Sequence, residues 1–344
     1  MKTSTRIPEW DGWRGLAILL VLVGHFTFSK WVWEERMGVD VFFVLSGMLM
    51  SNILFVERMP LKDFYIRRFS RVVPALFVFL LGAVVVSLIL QYEFHPIEFV
   101  ASLIFVRTYF PADPEFFTTA LPIGHLWSLS VEEHSYIIMS LISIVLLARG
   151  RIITALFGLY LLSLFFCWYN YLTVPAQEFA ATLIRTETTI GFITFSAAYN
   201  LWTKEKDVGK NGYLSIVCLA LAFLCYLRVL PVWLTFTLGP ILLGIAINHL
   251  QASAPAIRKI LCFAPLRWLG ILSFSIYLWQ QVFYKLYYAL PGGALTGFVL
   301  SILFGAGSYF VIENPARRYI DNRWSKSGKS QDTGLVPDNI ETVR

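Results

Sequence analysis

The chain has 344 residues, of which 57% are hydrophobic and only 15% charged, with a formal net charge of +6. Soluble domains carry about 25% charged residues, so the composition excludes an ordinary soluble enzyme and points to an integral membrane protein. Apolar stretches near the span length of about 20 residues recur from one end to the other. The expected fold class is therefore all-α, a polytopic membrane protein with about ten transmembrane helices.

The first apolar segment, roughly 13–29, contains Arg14 and His25. Eleven positions carry a helix through about three turns plus 20°, so both side chains lie nearly on one face, about 16 Å apart along the axis. Ionisable groups inside a span are costly and usually functional. Arg14 alone reads as a side chain snorkelling to the headgroups. His25 is better read as a base facing a polar cavity than as a structural histidine, because neutral imidazole takes a hydroxyl proton near physiological pH. With no small-residue cleavage site after it, the segment is expected to stay as a signal anchor.

The second segment, roughly 38–56, opens with Gly38-Val-Asp40 and continues to Ser46-Gly47. Asp40 is expected near the depth of His25, where a carboxylate would orient the imidazole. An acid favoured by the helix dipole accounts for it equally well. Ser46 and Gly47 read as close helix packing. The stretch Arg67-Arg68-Phe-Ser-Arg71-Val-Val-Pro74 leads into the third segment, roughly 72–92. Positive-inside topology explains its sign, and guanidinium forks also suit the phosphates of an anionic co-substrate. The connection 93–125 is apolar from Ile97 to Val106 and broken by Pro111, Pro114 and Pro122. It is expected to lie on or re-enter the membrane and to cover a site.

The fourth segment, roughly 126–148, follows Gly124-His125-Leu-Trp127-Ser128 and carries Glu132, Glu133 and His134. His125 and Glu132 are seven apart and share a helix face; Glu133 points about 100° away. This is not the His-Glu-x-x-His zinc spacing, and no metal is expected. Glu132 and Glu133 are candidate acid–base groups, with His125, Trp127 and Ser128 as substrate contacts.

The remaining spans fall near 152–172, 180–200, 212–229, 232–250, 266–289 and 291–313. Arg185 and Glu187 make 180–200 the least apolar of them. Tyr277, in Ser273-Phe-Ser275-Ile-Tyr277-Leu-Trp279-Gln280-Gln281, is a further candidate substrate contact, although helix–helix hydrogen bonding explains that polar stretch well. The four cysteines, 167, 218, 225 and 262, read as apolar packing. Residues 1–320 form one membrane domain, and 321–344 are a polar tail expected to be disordered. Lys and Arg concentrate in alternate connections, which puts both termini in the cytoplasm and makes the span number even. That bias accounts for the net charge, so no nucleic-acid partner is needed.

Together these motifs resemble the membrane-bound acyltransferase family 3, over about residues 8–320. Arg14 and His25 match its Arg–ten residues–His signature, and Gly38 to Gly47 resemble its Gly-Val-Asp-x-Phe-Phe-x-Leu-Ser-Gly stretch. Arg67 to Pro74, His125 to Glu133, Ser273 to Trp279 and Glu313-Asn-Pro315 resemble its later motifs in order. The resemblance implies an acyl-coenzyme A co-substrate, most often acetyl-CoA, on the cytoplasmic side of a bacterial inner membrane. It also implies a hydroxyl acceptor on an exported or cell-surface carbohydrate, free or lipid-linked. It makes Arg14 and His25 essential and Arg67, Arg68 and Arg71 candidate coenzyme A contacts. Gln280 stands where many members have histidine, and His134 where many have glutamine, which bears on acceptor choice. No fused hydrolase-like domain is expected. The rival reading is a transporter or flippase for a lipid-linked sugar or the acyl donor, built on the same polar helices.

Overall fold

The structure is a computed structural model and describes residues 7–27, 31–91, 95–110, 121–146, 148–252 and 255–332. It is all-helical. Among the described residues the only extended pairing is an isolated antiparallel bridge between Val32 and Leu227. Each of the ten apolar segments contains helix.

Helix α1 (Pro8–Thr27) packs against α2 (Glu34–Ser51) and α13 (Ala264–Leu286). Every α1 residue from Pro8 to Phe26 is buried or half-buried, so its polar groups face protein rather than lipid. The crossing with α13 is close because it is made on glycine. A Cβ on Gly15 would lie 1.9 Å from the Leu266 carbonyl oxygen, and one on Gly270 would lie 1.8 Å from that of Asp11. Small residues let membrane helices approach backbone to backbone in this way. Gly47 of α2 does the same against Ile193 of α9 (Gly191–Glu205), as its sequence context suggested.

Helix α3 (Leu61–Ile89) begins well before the predicted start near 72, so the basic stretch is helical and Pro74 lies inside the helix. Its outer stripe of Phe77, Leu81, Val85 and Leu88 is exposed and apolar, as a lipid-facing surface requires. The short α4 (Pro96–Leu103) buries Glu98, Ala101 and Ser102 and exposes Ile97 and Val100. Pro111 and Pro114 lie outside the described residues. A single turn of 3₁₀ helix, Gly124–Leu126, enters α5 (Trp127–Val145), and α6 (Arg149–Thr173) follows.

The predicted span 180–200 is not one helix. It is α7 (Ala176–Thr182), α8 (Thr186–Thr189) and α9. The breaks fall at residues 183–185 and at Ile190, and the carbonyls they free are taken up by side chains. Arg36 Nη1 donates to Leu183 O at 2.9 Å, Thr108 Oγ1 to Ile184 O at 2.5 Å and Ser163 Oγ to Thr188 O at 2.7 Å. Non-helical backbone at membrane depth is tolerated only when satisfied like this.

Helices α10 (Gly212–Cys225) and α11 (Val232–Asn248) form a hairpin against α9, and α12 (Pro255–Leu261) leads into α13 at a 52° bend. Helix α14 (Gly293–Ser308) passes through a π-turn, Tyr309–Glu313, into α15 (Asn314–Asp332). Helix α15 continues into the segment expected to be a disordered tail, of which 333–344 lie outside the described residues. Among the described residues, four helices are long and apolar enough to cross a membrane, or five if α12 and α13 count as one broken span.

Replacing Gly270 by Leu should therefore collapse the yield of monodisperse protein several-fold on size-exclusion chromatography. Gly158→Ala, which meets nothing within 4 Å, should leave it unchanged; equal yields would refute the close crossing.

Candidate active site

Most of the sequence-predicted residues divide between two cavities, while Asp40, Arg67 and Glu133 line neither. Arg14 lines the first, with Ser46 and Val39 from α2, Arg68, Arg71 and Val72 from α3, Ser128, Glu132 and Tyr136 from α5, and Ser273 and Tyr277 from α13. Its volume, open mouth included, is about 830 Å³. His25 lines the second, which is about 1830 Å³ on the same measure. Its other walls include Gly24, Trp33, Glu35, Arg36, His125, Trp127, Arg228, Gln281, Tyr284 and Lys285. Val39 and Tyr277 line both cavities, so the two meet there. The one-face relation of Arg14 and His25 thus puts them at two levels of one helix, each in its own chamber.

In the second chamber the His25 ring packs against Tyr284 with centroids 4.7 Å apart. It lies against the Val21 carbonyl one turn back, but Nδ1 reaches no partner in hydrogen-bond geometry. His125 is buried and lies against the Leu278 backbone, but neither of its ring nitrogens reaches a partner in hydrogen-bond geometry. Its backbone carbonyl accepts a hydrogen bond from Tyr277 OH at 2.7 Å, and Tyr277 OH also lies 2.6 Å from Ser128 Oγ. The boundary between the chambers is therefore a hydroxyl pair anchored on the His125 backbone. Trp127 forms part of the wall and stacks edge-on with Phe43 at 6.0 Å.

Asp40 does not orient His25. It is fully buried, receives both hydrogen bonds from Arg36 Nε at 3.0 Å, and accepts another from Tyr226 OH at 2.8 Å. Arg36 sits one turn before it on the same face, and an ion pair with added hydrogen bonds is what a buried carboxylate requires. Arg36 itself lies over the rings of Trp127 at 5.1 Å and Phe236 at 4.6 Å.

Glu132 and Glu133 are also placed differently from expectation. One helical surface carries His125 into the His25 chamber, but seven residues on, about 10 Å along the axis, Glu132 lines the Arg14 chamber. There Arg68 binds both carboxylates. Its Nε donates to Glu133 Oε1 at 2.6 Å, and Nη2 is 2.8 Å from Glu132 Oε2 in ion-pair contact without hydrogen-bond alignment. Glu132 also accepts from Ser46 Oγ at 2.5 Å and from Tyr136 OH, and the Arg68 guanidinium lies 4.4 Å over the Tyr136 ring. Arg68 is thereby occupied by this chain's own carboxylates. Arg71 remains on the cavity wall, its charge acting on Glu313, whereas Arg67 is exposed and lines neither chamber. Arg14 is 3.5 Å from Asp11.

The two departures from the family pattern line neither chamber. His134 Nδ1 is 2.7 Å from Thr186 Oγ1, and Gln280 is buried with its Nε2 donating to Gln281 Oε1 at 3.4 Å. Sequence reasoning missed Arg36, Glu35, Arg228, Tyr284 and Lys285. Arg36 was findable from its spacing of four to Asp40. The pair Glu35–Arg228 joins residues nearly two hundred positions apart, which no local pattern carries.

These residues form a polar site inside a bundle of largely apolar helices, and comparison with known proteins shows the family to which it belongs. The acyltransferase domain of family 3 is matched over residues 7–312, and the chain belongs to that family. It is 31% identical over 328 residues to the peptidoglycan O-acetyltransferase OatA of Listeria monocytogenes, covering 81% of this chain and 50% of that protein. It is 28% identical to a putative O-acetyltransferase of Staphylococcus aureus, covering 92% and 58% of the two chains. It is also 28% identical to the putative peptidoglycan O-acetyltransferase YrhL of Bacillus subtilis, covering 80% and 48%. The chain spans about half the length of these relatives. No solved structure matches it.

Because Arg68 neutralises two half-buried carboxylates, Arg68→Met should destabilise the purified protein and lower its thermal midpoint. Adding Glu133→Gln to that variant should recover part of the loss. An unshifted midpoint in Arg68→Met would mean that the pairing is incidental.

Proposed function

We propose that the chain is an O-acyltransferase that moves an acyl group, acetyl first, from acyl-coenzyme A to a hydroxyl of a cell-envelope carbohydrate. The observation that carries this reading is the pair of chambers on α1, one lined by Arg14 and Arg71 and the other by His25 and His125, meeting at Val39 and Tyr277. A thioester and its acceptor must approach from opposite faces of a membrane, and two chambers with one shared boundary provide that. The relatives named as O-acetyltransferases support the chemistry and the carbohydrate class of acceptor.

In this mechanism Arg71, with Arg14, attracts the phosphates of the donor, and the acyl thioester reaches toward Tyr277. The acceptor hydroxyl enters the other chamber and gives its proton to His25 as its oxygen attacks the thioester carbonyl. The tetrahedral intermediate expels the coenzyme A thiolate, which is then protonated, leaving an O-acyl ester. Geometry and a basic nitrogen within reach of the hydroxyl are what general-base catalysis needs. No metal takes part in these steps.

The same reading has ten spans in a bacterial inner membrane, both termini cytoplasmic, with the Arg14 chamber facing the cytoplasm. The basic residues grouped after α2, between α9 and α10, and in α15 support that orientation through the positive-inside rule. Helices α1 and α5 fall short of an apolarity criterion because they carry the site's ionisable residues, and the neighbouring helices shield them.

His25→Ala should lower transfer of labelled acetyl from acetyl-coenzyme A to envelope glycan at least a hundredfold while membrane expression persists. Coenzyme A release independent of acceptor and of His25 would defeat the reading. Arg71→Ala should raise the acetyl-coenzyme A concentration for half-maximal rate about fivefold or more, and Arg67→Ala less than twofold; the reverse order would remove Arg71 from the donor site.

A cysteine at Lys206 should react only with membrane-permeant reagents and one at Tyr288 with impermeant ones. The opposite result would invert the topology.

A further inference from the structure

Four buried polar atoms without hydrogen-bond partners border the His25 chamber: Nδ1 of His25, both ring nitrogens of His125, and Oε2 of Glu35. Buried polar atoms are nearly always satisfied, by protein, water or ligand. Their convergence on one cavity wall marks a place where a polar ligand completes the bonding.

Glu35 is built into this wall from both sides. Its Oε1 accepts from Arg228 Nη2 at 2.9 Å. Arg228 is fixed in turn by its Nε donating to Val32 O at 3.0 Å and its backbone nitrogen donating to Trp31 O at 2.8 Å. On the other side, a Cβ at position 24 would come within 2.5 Å of Glu35 Oε2. Glycine at 24 therefore leaves room for the carboxylate beside α1, one residue from His25. Trp33, Trp127 and Tyr284 line the same chamber.

This chemistry selects a ligand. An anion would meet the carboxylate's charge, and the chamber's cations are engaged: Arg36 with Asp40, Arg228 with Glu35, and Lys285 with the Leu121 carbonyl at 3.3 Å. A lipid chain would leave the polar atoms unsatisfied. A neutral sugar ring offers hydroxyl protons to the carboxylate oxygen, hydroxyls that either donate to or accept from imidazole, and an apolar face for the aromatic walls. We propose that Glu35, held by Arg228, is the acceptor-recognition residue. Its free oxygen accepts one hydroxyl of a neutral hexose ring, His125 binds another, and the hydroxyl to be acylated is thereby presented to His25. This rests on the acyltransferase reading and assigns its specificity to one carboxylate.

The test uses permeabilised cells deleted for the gene and carrying wild type, Glu35→Gln, Glu35→Asp or Arg228→Gln. Labelled acetyl-coenzyme A is supplied, and acetylated envelope glycan is measured by mass spectrometry against protein level. Glu35→Gln should lower the rate at least tenfold with the half-maximal acetyl-coenzyme A concentration within twofold of wild type, and Glu35→Asp should retain more activity than Glu35→Gln. Arg228→Gln, at a half-exposed position, should lower the rate about threefold or more and keeps the test decisive if Glu35→Gln fails to accumulate. Wild-type rates in whichever of these two variants accumulates would overturn the proposal. A donor requirement shifted as much as the rate would also overturn it, because Glu35 would then serve the whole fold or the donor. If wild type itself adds no acetyl group, the acyltransferase reading fails instead.

Discussion

Arg14 and His25 can occupy a membrane helix because that helix is sheathed by protein from Pro8 to Phe26. An ionisable side chain facing hydrocarbon costs several kcal/mol, so the burial of α1 is the constraint on which the site depends. It is met by backbone approach rather than by large side chains. Gly15 and Gly270 bring α1 and α13 together, which draws Tyr277 and Ser273 toward Arg14 and draws Gln281 and Tyr284 toward His25. The outer helices then take the lipid contact, as the exposed stripes of α3 and α14 record. Division of labour follows: of the helices apolar enough to span on their own, α3, α6 and α14 lie largely outside, while α2 and the helix carrying the signature pair lie inside.

A second constraint is charge balance. Arg68 answers Glu132 and Glu133, Arg36 answers Asp40, and Arg228 answers Glu35. Each pair joins different elements or successive turns, and each leaves its carboxylate unable to act as a strong acid or base without breaking the pair. Removing one partner of such a pair exposes the other to the full desolvation penalty. These acidic residues are thus tied up in the structure of the site, whereas His25 and His125 have no carboxylate partner and, in the proposed reaction, His25 takes the proton.

Much of the fold was legible in the sequence because apolar periodicity is local. The ten segments all hold helix, yet 180–200 breaks where Arg185, Glu187 and four threonines gather, since those side chains compete for the backbone. The early start of α3 was hidden because a basic amphipathic stretch reads as a loop on hydropathy alone. For the site, residue types were legible and partners were not. Asp40 was paired in expectation with His25 by depth, but Arg36 one turn away wins by charge and geometry. Glu132 was grouped with His125 by helix face, yet face alone says nothing of depth, and the helix carries it into the other chamber. Glu35 and Arg228 meet where the Val32–Leu227 bridge and the hydrogen bonds of Arg228 to Trp31 O and Val32 O join two distant segments, a tertiary fact.

The meeting of the chambers at Val39 and Tyr277 ties these observations together. The two chambers join at an apolar side chain and a phenol, which in the proposed reaction stand between donor and acceptor. Keeping water from that boundary is what the proposed reaction requires, since it protects a thioester from hydrolysis and strengthens electrostatic contacts around it. Tyr277 suits this position because its hydroxyl is committed to the His125 carbonyl and to Ser128, which fixes the ring across the boundary. The wall between the chambers is thus hydrogen-bonded to the same short segment that carries His125. A shift of that segment on acceptor binding would move Tyr277 with it, so the chain's own connectivity links occupancy of the His25 chamber to access from the Arg14 side.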